Sequence, residues 1–179
     1  MTRKLTVGKF LEGNGESLSL NDIGGGIGLE TVIPNADVSS PGLALAGYVG
    51  RFVAERLQVL GETEITYLES LAPQERSKIL SSFFTFAMPA VIVTKGQNPP
   101  DEMKTAAAKA GIPLLVTQLK TAEFYRRLKP VLEAEFAETT TLHGSLADVF
   151  GVGLFFTGKS GIGKSECVLD LVEGGHRLV

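Results

Sequence analysis

Apolar strand patterns alternate with helix patterns between residues 57 and 136, and this alternation restricts the fold more than any other feature. Strands are predicted at three short apolar runs, 57–60, 90–94 and 113–117. Helices are predicted at 62–71, from Pro73, at 101–110 and at 121–136, the last interrupted near Pro130. Because the strands are apolar on both faces, helices must cover both sides of the sheet. The pattern therefore predicts a small α/β domain with a mostly parallel sheet flanked by helices.

The first 50 residues predict short strands and turns instead of this alternation. Strand patterns at 18–20 and 31–33 flank a glycine-rich stretch at 21–28. Gly24 and Gly26 fit the first two positions of the dinucleotide fingerprint Gly-x-Gly-x-x-Gly, but the third position is leucine and no helix pattern follows. We therefore interpret the glycine-rich stretch as a loop.

A change of pattern near residue 137 divides the chain into two parts. Residues 138–141, Glu-Thr-Thr-Thr, are typical of a linker, and a strand-rich segment begins at Leu142. We predict an amino-terminal α/β domain at 1–137 and the beginning of a second domain at 138–179. Since the second part is too short for a complete nucleotide-binding domain, we expect the chain to stop within that domain.

The residues from Gly158 to Ser165 match the phosphate-binding P-loop pattern Gly-x4-Gly-Lys-Ser/Thr. A strand pattern at 153–157 precedes the match and a helix pattern at 164–171 follows it. Glycines allow consecutive N–H groups to face an anion, and the helix N-terminus adds positive charge. We predict that the Lys164 ammonium reaches the β- and γ-phosphates and that the Ser165 hydroxyl is a ligand of Mg²⁺. The predicted phosphate-binding residues are Gly158, Lys159, Ser160, Gly161, Ile162, Gly163, Lys164 and Ser165.

Phosphoryl transfer needs groups beyond this loop. No apolar strand ending in aspartate follows Ser165, so the chain is expected to bind phosphate without full catalysis. His143 is the candidate residue outside the loop, where it could aid proton transfer or bind phosphate. If 142–149 and 153–157 form a hairpin around a turn at 150–153, His143 lies opposite Ser160. Cys167 is expected to pack and not to react.

The composition excludes several classes of protein. The chain has 179 residues, of which 44% are hydrophobic, so disorder is excluded. An evenly distributed net charge of −3 argues against a nucleic-acid partner. No apolar run approaches the roughly 20 residues that span a bilayer, and no secretory signal is apparent. With Cys167 as the single cysteine, we expect a cytoplasmic protein without disulfides.

Beyond these patterns, the chain resembles the HPr kinase/phosphorylases, bacterial serine kinases of the phosphocarrier protein HPr. The carboxyl-terminal part of the resemblance runs from His143 to Glu166 and from Leu169 through Gly-His-Arg-Leu-Val179. Its amino-terminal part comprises segments 41–48, 56–61, 67–71, 89–94 and 111–115. The resemblance thus covers nearly the whole chain.

The resemblance implies a bifunctional enzyme of carbon catabolite control. Such an enzyme phosphorylates a serine of HPr with ATP or pyrophosphate and removes the phosphate by phosphorolysis. The resemblance also implies bound Mg²⁺, a homohexamer, His143 and Lys164 in the active site, and Ser165 as a magnesium ligand. The family's aspartate pair, a further magnesium-binding glutamate, a catalytic arginine and the HPr-contacting segment would follow Val179. This chain alone is therefore expected to be inactive.

Two alternatives remain open from the sequence. Residues 1–137 could form a noncatalytic assembly or metabolite-sensing module, with the P-loop binding phosphate at most. The chain could also belong to an unrelated P-loop ATPase or GTPase, which would require an apolar strand ending in aspartate further along the chain.

Overall fold

The computed structural model describes residues 4–138 and 142–179, which divide into two compact units, Met1–Ala137 and Glu138–Val179. The elements of the first unit are α1 (Val7–Asn14), β1 (Leu20–Asp22), β2 (Val38–Ser39), α2 (Gly42–Leu45), β3 (Leu57–Leu60), α3 (Glu62–Ser70), α4 (Pro73–Phe83), β4 (Val91–Val93), α5 (Asp101–Ala110), β5 (Leu114–Thr117) and α6 (Thr121–Phe136). Those of the second unit are β6 (Gly144–Val149), β7 (Val152–Thr157), α7 (Lys164–Glu173) and β8 (Arg177–Leu178).

The first unit is built on a five-stranded sheet in the order β1-β5-β4-β3-β2. Strands β2 to β5 pair in parallel, and β1 pairs antiparallel with β5. The predicted mostly parallel α/β sheet is confirmed. Its strands are short and are connected by helices, as parallel pairing requires.

The core of the first unit lies on both faces of this sheet. Val91 and Val93 face a cluster with Leu68 and Leu80 from α3 and α4. On the other face, Ile92 belongs to a cluster that contains residues of α1 and α6. Because successive side chains of a strand point to opposite faces, an all-apolar strand fills both clusters. The unit is therefore a three-layer arrangement of helices, sheet and helices.

The structure corrects the predictions for three helices, and one of them is α2, which lies within the first 50 residues, where strands and turns were expected. Residues 7–14, expected as strand or turn, form helix α1, which the Thr6 hydroxyl caps by accepting the N–H of Lys9 at 3.3 Å. Helix α6 continues through Pro130, where an interruption was expected. Phe124, Leu128 and Leu132 of α6 are fully buried. Packing of this apolar face outweighs the missing hydrogen bond, since tertiary contacts supply most helical stability in proteins.

Residues 24–28 of the glycine-rich stretch form a bend and turns, as predicted for a loop, whereas its first two residues belong to β1. The Asp22 carboxylate accepts the N–H of Gly24 at 2.8 Å and that of Gly26 at 2.5 Å. At Gly28, φ is +72° and an added Cβ would lie 2.2 Å from the Gly111 carbonyl oxygen. Close backbone approach explains this glycine without a dinucleotide ligand.

In the second unit, the three strands form an antiparallel sheet in the order β7-β6-β8. Among the described residues of this unit, Ala147 and Val168 are the buried apolar side chains. Within 4–138 and 142–179, no helix combines the length and the apolar character needed to cross a membrane.

Candidate phosphate-binding site

The β6–β7 hairpin leads directly into the P-loop. Its strands pair from Val149↔Val152 to Gly144↔Thr157, and a two-residue turn joins them. Phe150 and Gly151 in this turn have φ values of 53° and 80°, as in a type I′ turn, whose twist matches that of the strands.

This register corrects the predicted position of His143. The expected turn of four residues, 150–153, placed His143 opposite Ser160, whereas the two-residue turn shifts the pairing by two positions. His143 therefore lies one residue beyond the last pair, level with Gly158, and its side chain is exposed. The hairpin still brings His143 to the strand end from which the P-loop departs.

The shape of the loop depends on three glycines. Gly158, Gly161 and Gly163 have φ values of 148°, 82° and 84°, in the region that side chains with a Cβ rarely adopt. Gly163 is also the N-cap of α7. The glycine spacing of the sequence motif therefore corresponds to backbone conformations that the loop uses.

Helix α7 begins immediately after the loop, at Lys164. The N–H groups of its first turn, including that of Ser165, have no acceptor within the helix, and the helix dipole concentrates positive charge there. The loop and the helix end thus have the chemistry of an anion-binding site. Glu166 also lies in this turn, where its carboxylate complements the dipole.

The Lys164 side chain folds back over the loop. Its ammonium group donates to the carbonyl oxygens of Gly158 at 2.8 Å and Lys159 at 2.6 Å. These bonds place the charge at the mouth of the loop. A phosphate group that binds there would have to replace at least one carbonyl as the hydrogen-bond acceptor of Lys164.

The residues of this site fit a magnesium ion held jointly with a bound phosphate. Mg²⁺ takes few protein ligands beside substrate phosphates and water. The Ser165 hydroxyl, exposed in the first turn of α7, is a suitable oxygen donor. Across the described ranges, no three His, Cys, Asp or Glu side chains cluster to hold a metal without substrate. Cys167, expected to pack, is exposed instead.

Sequence reasoning missed two pockets in the first unit. One encloses about 540 Å³ and is lined by residues of α2, of α4 and of the segments that follow these helices. The other encloses about 190 Å³ and has Arg51 and Arg56 among its lining residues. The two arginines, which are five positions apart in the sequence, were the only local signal of the second pocket.

Comparisons with known proteins agree with these features. The family model "HPr Serine kinase N terminus" matches residues 5–132, and "HPr Serine kinase C-terminal domain" matches residues 134–179. A similar solved structure contains the CBS and DRTGG domains of the regulatory region of Clostridium perfringens pyrophosphatase, complexed with its activator diadenosine tetraphosphate. The TM-score is 0.52 at 18% identity, over 72% of this chain and 50% of that one. This likeness shows a shared fold, and the chain spans half the length of the pyrophosphatase chain.

Proposed function

The chain belongs to the HPr serine kinase family, and we propose that the enzyme to which these residues belong transfers a phosphoryl group to a serine of HPr from ATP or pyrophosphate. In the reverse direction, inorganic phosphate would take the phosphoryl group from phosphoserine and form pyrophosphate. The observation that carries this proposal is a P-loop of family-typical sequence, whose three glycines have positive φ and whose lysine lies over the loop mouth.

In this proposal the residues from Gly158 to Ser165 hold the donor phosphates. The Lys164 ammonium exchanges its bond to the Gly158 or Lys159 carbonyl for bonds to phosphate oxygens, where it offsets the charge that develops during transfer. The Ser165 hydroxyl would be a ligand of Mg²⁺, which supplies charge neutralisation when bound with the donor.

We place His143 in the active site, where its imidazole would aid proton transfer or bind a phosphate group. Its place beside the strand end that leads into Gly158, together with its exposure, supports this role. The remaining elements of the proposal are a cytoplasmic homohexamer and a role in carbon catabolite control, both of which rest on family membership.

A second candidate function is a metabolite-sensing module formed by residues 1–137. The two pockets of this unit favour it, since small molecules bind in concave sites. The pyrophosphatase region that shares the fold was crystallised with an activator, which is consistent with a regulatory use of such a domain. The two functions are compatible, because they use different residues.

The test compares the intact enzyme with its Lys164→Ala variant, using Lys104→Ala as the control for loss of a partly exposed lysine. Phosphoserine on HPr is measured by mass spectrometry with ATP and with pyrophosphate, and its removal is measured with inorganic phosphate. Lys164→Ala should abolish both directions, because one loop holds the donor and the attacking phosphate. Survival of either direction at a near-normal rate would exclude a single shared site.

A further inference from the structure

The smaller pocket of the first unit, beside β2, has no part in the proposed phosphoryl transfer. We call it the arginine pocket and define it by Ser39, Tyr48, Arg51, Phe52 and Arg56. We propose that the arginine pocket binds a small phosphate-bearing anion, either inorganic phosphate or the phosphate group of a small monoester. This inference does not depend on the P-loop.

The charges of the pocket favour an anion. Within the part of the chain that the structure describes, Arg51 makes no ion pair. Arg56 lies 3.5 Å from the Asp37 carboxylate, and both side chains are substantially exposed. Since a guanidinium carries five N–H donors, one long contact leaves most of the donors of Arg56 available. Two such groups in one pocket can bind phosphate oxygens through paired hydrogen bonds.

A fully buried side chain holds this pocket in shape. The amide nitrogen of Gln58 on β3 donates to the carbonyl oxygens of Val53 at 3.0 Å and Arg56 at 2.8 Å. Its amide oxygen accepts the Ser39 hydroxyl at 3.0 Å. Gln58 therefore ties β2 to the backbone that carries Arg56. A site positioned in this way before the ligand arrives loses less conformational entropy on binding.

The hydroxyl groups of the two neighbouring serines do not contribute to recognition of an anion. The Ser39 hydroxyl donates to Gln58, and the Ser40 hydroxyl donates to the Glu64 carboxylate at 2.8 Å. Because both protons are already engaged, the serines do not supply donors to an anion. Tyr48 and Phe52 also line the pocket, and the Tyr48 hydroxyl is a further donor that an anion can use.

The size of the pocket limits the ligand. Its volume of about 190 Å³ is below the roughly 300–1,000 Å³ of pockets that enclose drug-sized ligands. A phosphate ion or a small phosphomonoester is therefore a better match than a whole nucleotide. The larger pocket nearby has Glu75 and Lys78 among its lining residues, so its charges offset each other. Lys78 therefore serves as a control for loss of a positive charge outside the arginine pocket.

The experiment uses the full chain with Lys164→Ala, which removes the lysine of the P-loop. Isothermal titration calorimetry measures binding of inorganic phosphate and of glycerol 3-phosphate at constant ionic strength. Saturable binding of at least one probe should remain in this variant. Tighter binding of inorganic phosphate would identify the free ion as the ligand, and tighter binding of glycerol 3-phosphate would identify a phosphomonoester. Adding Arg51→Ala should weaken binding about tenfold or more, the effect of losing charge-assisted hydrogen bonds.

Two further variants distinguish a built site from general surface charge. Arg51→Lys should give an intermediate affinity, because lysine keeps the charge but lacks the planar pair of donors. Lys78→Ala should leave the affinity unchanged. The proposal is overturned if the Lys164→Ala protein binds neither probe, or if Lys78→Ala weakens binding as much as Arg51→Ala does. Circular dichroism of each variant verifies that it is folded.

Discussion

The two units differ in what determines their structure. The first unit buries two extensive apolar clusters, one on each face of its sheet, and its Phe124 is fully buried. Among the described residues of the second unit, only Ala147 and Val168 are buried apolar side chains, while Phe150 at the hairpin tip is 92% exposed. Long-range packing therefore shapes the first unit, whereas local backbone chemistry, especially glycine, shapes the phosphate-binding loop.

The largest expected effect tests this contrast in packing. Phe124→Ala should reduce the free energy of unfolding by about 3–5 kcal/mol, because it removes buried surface and leaves a cavity in the core of the first unit. Phe150→Ala, the matched change at an exposed position, should cost less than about 1 kcal/mol, despite the ring contact with His176 at 4.9 Å. Urea denaturation followed by circular dichroism measures both. Equal losses of unfolding free energy in the two variants would contradict the difference in packing between the two units.

A smaller effect on stability is expected from replacing a glycine that caps a helix or a glycine of the phosphate-binding loop, and only the second change should affect ligand binding. Gly111, which caps α5, and Gly161, in the P-loop, both have positive φ, and neither has a heavy atom within 4 Å of an added Cβ. Substitution of either glycine by alanine should therefore lower the free energy of unfolding by about 1–2 kcal/mol, because of backbone strain. Only Gly161→Ala should also weaken ATP binding, measured by calorimetry. Weakened ATP binding in Gly111→Ala would show that the two units are not independent in this respect.

The smallest effect concerns an ion pair between two helices of the first unit. Arg76 on α4 donates to the Glu102 carboxylate on α5 at 2.7 Å, with side chains 17% and 26% exposed. This hydrogen bond, with one from the Glu102 backbone, holds the pKa of Glu102 below its ordinary value of 4.5. The resulting stabilisation is fully present above pH 4.5 and is lost as the pH falls through the lowered pKa.

Glu102→Gln should therefore lower the urea midpoint at pH 7 and have a diminishing effect as the pH falls below 4.5. Glu75→Gln on α4, an exposed carboxylate, is the control for removal of a negative charge. A difference between Glu102→Gln and the wild type that stays constant from pH 7 to pH 3 would show that the carboxylate charge is not the source of the stabilisation.

The sequence alone was sufficient to predict those elements whose apolar residues are the ones that the fold buries. The strands 57–60, 90–94 and 113–117 were predicted to within one residue, because they are buried on both faces. Helix α1 was missed because only Val7 and Phe10 of it are buried, too few to give a clear helical period. Continuity of α6 depends on packing that no local rule for Pro130 includes.

The candidate site also has one part that the sequence predicts and another part that it does not predict. The P-loop follows from its own glycines, lysine and serine, so its conformation could be anticipated from the sequence. The position of His143 could not, because it depends on whether two or four residues turn the hairpin. The arginine pocket requires contacts between residues of β2, β3 and the segment between them, which the sequence alone does not bring together.

Binding of ATP in the presence of Mg²⁺ to the full chain, its Lys164→Ala variant and its Lys104→Ala variant is the most direct test of the P-loop assignment. Calorimetry should give equal affinities for the wild type and Lys104→Ala. Lys164→Ala should bind about 10- to 100-fold more weakly, as expected for loss of charge-assisted hydrogen bonds to phosphate. Wild-type affinity in Lys164→Ala would contradict the assignment of residues 158–165 as the phosphate-binding site.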